Sequence, residues 1–382
     1  MGFSSVADIQ SELNVQNKFR RTNWNKQTPG VVAVPGVWNS LWREAGNPAG
    51  SNSVVTAGTN LSLQAGWHDV TPNGGGIQHG GDVSPDTKHI LNISAFTAGA
   101  TGAPTVLMLI DTLAHYPVTS VTSAVSQTCI NSTTFTADSA TDIITHVAYD
   151  IATFSRVTLT NSGGALPSPL VSGTPYWTLR GSGVASSLCN SLADAVAGNV
   201  INMTDNGTGT HTITVTLPRY TDGEGVQMFH TLSTGSGAVA NFSFGSSGYT
   251  NSDGITGRAC PTTPALPSLG LYTGATLDAT GTGAGKVGPF IPLQHGDKGI
   301  RSIQSMQYSA NRVSGVCQMV LCKPLLIIPV DAVGLVSERD MLNQIPSMPK
   351  IEDGACLHWL SLPSTVIPIN TQFYGHIDFV WG

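Results

Sequence analysis

The chain has 382 residues, 40% of them hydrophobic and only 10% charged, with 43 Gly, 22 Pro and a formal net charge of −6. That charge content, against about 25% in an ordinary chain, excludes a solvated disordered tail and a coiled coil. The acidic balance excludes a global polyanion-binding field, so specific nucleic-acid binding is not expected. At roughly 100–200 residues per domain the length predicts two or three domains built of β-sheet and many turns.

The first residues, MGFSSVADIQSE, have no basic region followed by an apolar run, and Val6 breaks the myristoylation pattern, so neither a leader nor a lipid anchor is expected. The longest apolar run, Leu325–Val330, is too short to span a bilayer. Residues 5–18 read as a helix, with Ser5 and Asp8 as a cap and Ile9 and Leu13 on one face. From Leu13 to Arg43 there is no acid, yet Lys18, Arg20, Arg21, Lys26 and Arg43 occur, with Trp24, Trp38 and Trp42 among them. This reads as a basic arm. Trp and Arg make good anchors for a partner subunit, so these eight residues form the candidate partner-binding set. A core role for the tryptophans fits equally well, and a solvated positive loop is the plain alternative.

Strands are expected at Val31–Val34, Leu61–Leu63, His89–Phe96, Thr105–Ile110, Arg156–Thr160, His211–Leu217, Val226–Leu232, Val239–Phe244, Ile300–Tyr308, Val316–Leu321 and Phe373–Trp381. A short second helix is expected where Ser337 caps 338–343 ahead of Pro346. From Val121 to Val215 the only basic residues are Arg156 and Arg180, and Ser, Thr, Asn and Gly are dense. This predicts a small β-domain inserted into the main body. Two stretches look related: Gln78-His79-Gly80-Gly81-Asp82 and Gln294-His295-Gly296-Asp297 each precede two strands. They suggest two copies of a β-hairpin module, with the His-Gly-Asp run as a turn.

Motifs for catalysis are missing. There is no G-x-S-x-G elbow, no HExxH and no phosphate loop, since Val287 follows the Lys286 of Gly281–Lys286. Acid pairs such as Asp138/Asp142 and Glu352/Asp353 read as solvated loops rather than as a glycosidase pair. Tyr220–Gly225 reads as a tight turn, without the EF-hand ligand series. The six cysteines have no metal spacing and read as small buried hydrophobes in a reducing compartment. No enzyme activity, cofactor or metal is expected.

The inserted segment resembles small β-domains of tailed-bacteriophage virion proteins. The residues that carry the resemblance are Phe135-Thr136-Ala137, Phe154–Leu159, Ala165–Leu170, Gly173–Trp177 and Ile201–Thr212. At Asp150–Thr153 the chain departs from the His-Gly-Leu…Gly-Asp turn frequent in that group. The C-terminal third is similar to phage structural proteins through Gly288–Leu293, Gly299–Ser305, Ser337–Asp340 and Phe373–Gly382. The resemblance implies a virion component, assembled in the host bacterial cytoplasm. Its partners would be other capsid proteins and further copies of itself, a trimer being one possibility, with no membrane contact.

The expected fold is mainly β. A jelly-roll-like β-sandwich body (46–120 and 217–382) carries an inserted small β-domain (121–216), and residues 1–45 form a short N-terminal helix and basic arm. A capsid decoration or minor head protein leads. A major capsid protein of the tailed-phage type needs a long spine helix, for which the sequence offers no candidate. A tail or fibre component binding host glycans through residues 121–216 is the other alternative.

Overall fold

The structure, a computed structural model, describes residues 3–28, 35–42, 44–50, 61–63, 65–66, 68–69, 76–99, 102–118, 126–147, 151–181, 183–234, 240–243, 248–260, 265–266, 275–277, 289–308, 316–342 and 348–382. Strand dominates, as the composition predicts. Among the described residues there are two helices, Val6–Asn14 and Leu192–Ala197. In the first, Ser5 Oγ accepts the Asp8 N–H at 3.2 Å and Asp8 Oδ2 accepts the Ser5 N–H at 3.0 Å, the reciprocal capping box read from the sequence. It ends short of residue 18 because Asn17 turns to φ 54 and strand begins at Phe19. The second expected helix is a strand instead, Ser337–Asp340. Its backbone pairs with Asn92–Ala95, and Asn92 Nδ2 donates to Glu338 Oε1 at 2.6 Å. Tertiary pairing outweighs a weak local helix preference there. The expected strand at 31–34 lies outside the described residues.

Eight strands build a two-sheet sandwich. Numbered in chain order, they are β1 (Phe19–Gln27), β2 (Trp38–Ser40), β3 (Lys88–Thr97), β4 (Thr105–Val118), β5 (Val316–Val330), β6 (Ser337–Asp340), β7 (Leu357–Pro363) and β8 (Gln372–Trp381). The terminal sheet contains the order β6-β3-β8-β1, extended by Gly46–Asn47 beside β1 and Lys350–Ile351 on β3, and the central sheet the order β5-β4-β7-β2, extended by Gln227–Thr234 beside β5 and Ala275–Leu277 beside β2, every neighbouring pair antiparallel. The chain crosses between sheets from β1 to β2, β3 to β4, β5 to β6 and β7 to β8, and the two orders set these crossings side by side. All four fall at one end, because Thr105 stands opposite both Val330 and Pro363, Thr97 opposite Phe373, and the Gly36 N–H donates to Pro363 O. Connections 41–87, 119–315 and 341–356 leave from the other end. This is the jelly roll.

The two Gln-His-Gly stretches are therefore not hairpins. β3 and β4 belong to opposite sheets, while Ile300–Ile303 pairs with Tyr249–Asn251 and Ser305–Tyr308 pairs with Gln127–Ile130. The turn reading holds for the backbone, with φ 96 and 73 at Gly80 and Gly81 and 93 at Gly296. The histidines differ. His79 is fully buried and sits 2.9 Å from Lys88 Nζ, whereas His295 is exposed.

Packing follows the period of the strands. Leu107 and Leu109 of β4 face the terminal sheet, in one cluster with Ile93, Trp359, Phe373 and Ile377. Met108 and Ile110 face the other way, with Trp38, Trp42, Phe229 and Leu360. β4 and β7 in the central sheet are buried on both faces, which is why β4 begins as a continuous apolar run, whereas Ile327 and Pro329 near the end of β5 are exposed. The terminal sheet is buried on one face only. Along β1, Trp24 and Lys26 point inward while Asn23 and Asn25 do not. Each large apolar side chain so buried contributes about 1.5–3 kcal/mol relative to exposure.

Between β4 and β5 the chain builds a closed barrel from Ser132–Asp138, Ile143–His146, Arg156–Ser162, Pro175–Arg180, Ala185–Cys189 and Thr210–Thr216. These strands fall inside the 121–216 segment set apart by composition. Its interior (Phe135, Val157, Leu159, Ile213) is continuous with the far ends of β4 and β5 (Leu113, Tyr116, Met319, Leu321), so barrel and sandwich share a core at their junction. A buried ion pair locks that junction. Arg219, just past the barrel, donates to both carboxylate oxygens of Asp111 on β4 at 2.9 and 2.7 Å and to Thr112 O at 3.0 Å. Asp111 also accepts the Cys356 N–H at 2.8 Å. Arg219 Nη1 lies 3.1 Å from His68 Nδ1, and His68 Nε2 lies 2.9 Å from Phe154 O in the barrel. Burial holds the His68 pKa down to about 3. A neutral ring that accepts at Nδ1 and donates at Nε2 satisfies both neighbours.

Candidate functional site

The basic segment is not an arm. Residues 19–27 are β1, inside the terminal sheet between β8 and Gly46–Asn47. This corrects the partner-binding set at Trp24, Lys26, Trp38 and Trp42, which are buried. Trp24, Trp38 and Trp42 are 2%, 5% and 1% exposed and belong to the core. Trp24 packs on Trp359 with centroids 4.8 Å apart, and Trp42 meets His358 edge-on at 5.8 Å. Lys26 is buried too. Its Nζ donates to Glu44 O at 3.2 Å, and burial lowers its pKa to about 8. Lys18 pairs with Glu12 at 3.2 Å and Asp86 at 2.8 Å. Arg20 and Arg21 remain at the surface; Arg21 Nε and Nη2 each donate to Asp378 at 2.7 Å, a fork that cancels both charges. Arg43 lies outside the described residues.

What the terminal sheet presents to solvent is a registered polar face. The strand register sets Phe96, Tyr374, Asn25 and Asn47 in one row across four strands. The next row is Glu338, Ser94, His376 and Asn23. The third is Asp340, Asn92, Asp378 and Arg21. Between the first two rows lies a groove of about 440 Å³, whose lining also includes Val336, Trp24 and Gly375. Gly375 is required at its place. A Cβ there would come within 1.9 Å of Ser94 O and 2.9 Å of the Trp24 ring. Sequence reasoning passed over these residues. The signal for them was the alternation itself, Asn23 and Asn25 against Trp24 and Lys26.

A second surface feature is the end where the four crossings run. The β5–β6 and β7–β8 crossings expose Val333, Leu335, Val336, Val366 and Ile369, with Leu335 58% and Val366 57% accessible. Clustered exposed aliphatics mark contact surfaces more often than isolated ones do. At the opposite end Asp353 and Asp82 share a hydrogen bond, and Asp353 Oδ1 accepts the Val83 N–H at 3.1 Å. Burial and the neighbouring carboxyl push Asp353 up to about 6. Among the described residues, no group of three or more His, Cys, Asp or Glu is placed to hold a metal ion. Cys129, Cys189, Cys260, Cys322 and Cys356 are free and buried.

No family model matches the chain, and no curated protein matches it. Among solved structures, one of the infectious bursal disease virus Gt strain aligns over 78% of this chain and 81% of its own, at 8% identity and a TM-score of 0.11. A T=1 particle derived from infectious bursal virus aligns over 77% of each chain, at 8% identity and a TM-score of 0.09. Scores this low establish no common fold.

Proposed function

We propose that this chain is a non-enzymatic structural protein of a bacteriophage virion, lying in or on the capsid shell. The observation that carries the reading is the eight-strand jelly roll, with its crossings gathered at one end and a closed barrel inserted at the other. Viral capsid domains share that topology with lectins and cupins. A fold alone hosts many functions. The resemblance of the barrel segment and the C-terminal third to phage virion proteins favours the virion among them. The aliphatic end of the sandwich supplies a surface suited to a neighbouring subunit, and a weakly charged exterior suits burial between subunits.

The leading form is a decoration or minor head protein docked on the shell as a symmetric oligomer. β1 is part of the sheet, so docking passes to the exposed crossings rather than to an N-terminal arm. The second form, a subunit that builds the shell wall itself, is favoured by the jelly roll, which needs no spine helix. Quantitative mass spectrometry of purified virions with gold-labelled antibody tests the reading. Label on the head at tens to hundreds of copies supports it; label on the tail, or absence from the particle, refutes it.

A further inference from the structure

The groove on the terminal sheet has a chemistry that the virion reading does not use. One wall is the Phe96–Tyr374 pair, ring centroids 5.3 Å apart and planes 23° from parallel. Facing it are three carboxamides on adjacent strands, Asn23, Asn25 and Asn47. Asn25 Oδ1 accepts the Asn47 N–H, and Asn47 Nδ2 reaches Asn23 O at 3.4 Å, so the array is braced from within. The side-chain amide of Asn23 has no partner among the described residues and stands exposed. His376 closes one side. Its Nδ1 lies 2.7 Å from Ser94 Oγ, while its buried Nε2 has no hydrogen-bond partner and is 3.9 Å from the carboxylate of Asp378. No Lys, Arg, Asp or Glu is among the described lining residues.

An aromatic wall beside fixed amides is complementary to a sugar ring. The C–H face of a pyranose packs on aromatic carbon. Each carboxamide offers a donor and an acceptor together, the pattern that adjacent hydroxyls present in return. The volume, about 440 Å³, lies within the roughly 300–1,000 Å³ of small-ligand sites. Phosphate, sulfate and carboxylate ligands call for Arg or Lys, which the groove lacks. We infer that this groove binds a neutral hexopyranose unit of a glycan, packed against the aromatic wall of Phe96 and Tyr374 and read through its hydroxyls by Asn23, Asn25 and Asn47. The site is on the sandwich, not in the 121–216 segment to which the tail or fibre alternative assigns glycan contact.

The test uses the full chain, with saturation-transfer NMR and calorimetry against neutral hexose and N-acetylhexosamine oligosaccharides. Sialylated and sulfated sugars and a proline-rich peptide serve as competing probes. At least one neutral oligosaccharide is expected to bind. The N23A/N25A variant should weaken it at least tenfold while lowering the melting temperature by no more than a few degrees, the cost of the lost Asn25–Asn47 hydrogen bond, and Y374A should weaken it at least as much. V200S, on the exposed surface of the inserted segment, should leave it intact. If Y374A fails to fold, N23A/N25A decides alone, since Asn23 is exposed and Asn25 lies on the outer face. No binding of any neutral sugar at millimolar concentration, binding untouched by N23A/N25A, or preference for the charged sugars or the peptide overturns the inference. Such a failure leaves the virion reading standing, because that rests on topology and resemblance and is tested separately by labelling.

Discussion

Replacing Arg219 by Met cuts the ion pair at the barrel junction and strands Asp111, which is 0% exposed. Among the described residues the carboxylate keeps only the Cys356 N–H at 2.8 Å, and the Thr112 carbonyl and His68 Nδ1 lose the guanidinium they now share. Removing one partner of a buried, hydrogen-bonded pair costs about 3–5 kcal/mol, against about 0–1 kcal/mol for a surface pair. The fork geometry makes Arg219→Lys a poor rescue, since one ammonium cannot bond both oxygens of Asp111 in the same plane. Equilibrium urea unfolding followed by tryptophan fluorescence measures the loss. The double variant D111N/R219M should be more stable than the sum of the single losses predicts, because it leaves no unpaired buried charge. A loss below about 1 kcal/mol in R219M, or strict additivity in the double variant, refutes the claim that this pair locks barrel to sandwich.

Trp24→Ala should cost about 3–5 kcal/mol by emptying the Trp24–Trp359 contact, while Lys18→Ala should stay within about 0.5 kcal/mol; a W24A protein of normal melting temperature would falsify the core placement of Trp24. Gly375→Ala should destabilise by about 1–3 kcal/mol or more through overpacking, read by thermal unfolding. Asp353 has its pKa raised from 3.8 to about 6, so the folded state holds the extra proton between those values and stability falls as pH rises through that window. Asp353→Asn should flatten that slope and raise the melting temperature at pH 7, and an unchanged slope contradicts the assignment. Leu335→Glu with Val366→Glu should leave the fold intact but reduce incorporation into particles, and undiminished incorporation rules the crossings out as the contact surface.

Much of the fold is legible in the sequence because the long middle strands of the central sheet open on largely apolar runs. Thr105–Ile110 and Val316–Leu321 announce themselves, and the structure lengthens them to Val118 and Val330. β1 was hidden because its outer face carries Arg21, Asn23 and Asn25 and its inner face carries Lys26. Charge count masked a period of two that Thr22, Trp24 and Lys26 keep. Helix signals at Ser5 and Ser337 look alike locally. Only the first persists, because Ser337–Asp340 finds a strand partner some 245 positions away. Sheet order is set by such distant pairings, so the groove that joins Phe96, Tyr374, Asn25 and Asn47 cannot be read from any one segment. The buried charges were equally hidden: nothing in the neighbourhood of Arg219 or Asp111 in sequence tells that they meet.

The most direct test is a cryo-electron microscopy map of the purified phage at a resolution that shows strands. The account predicts an eight-stranded sandwich in the capsid layer, its crossing end against a neighbouring subunit and the six-stranded barrel away from that contact. A head with no such density, or the sandwich found only in the tail, contradicts it.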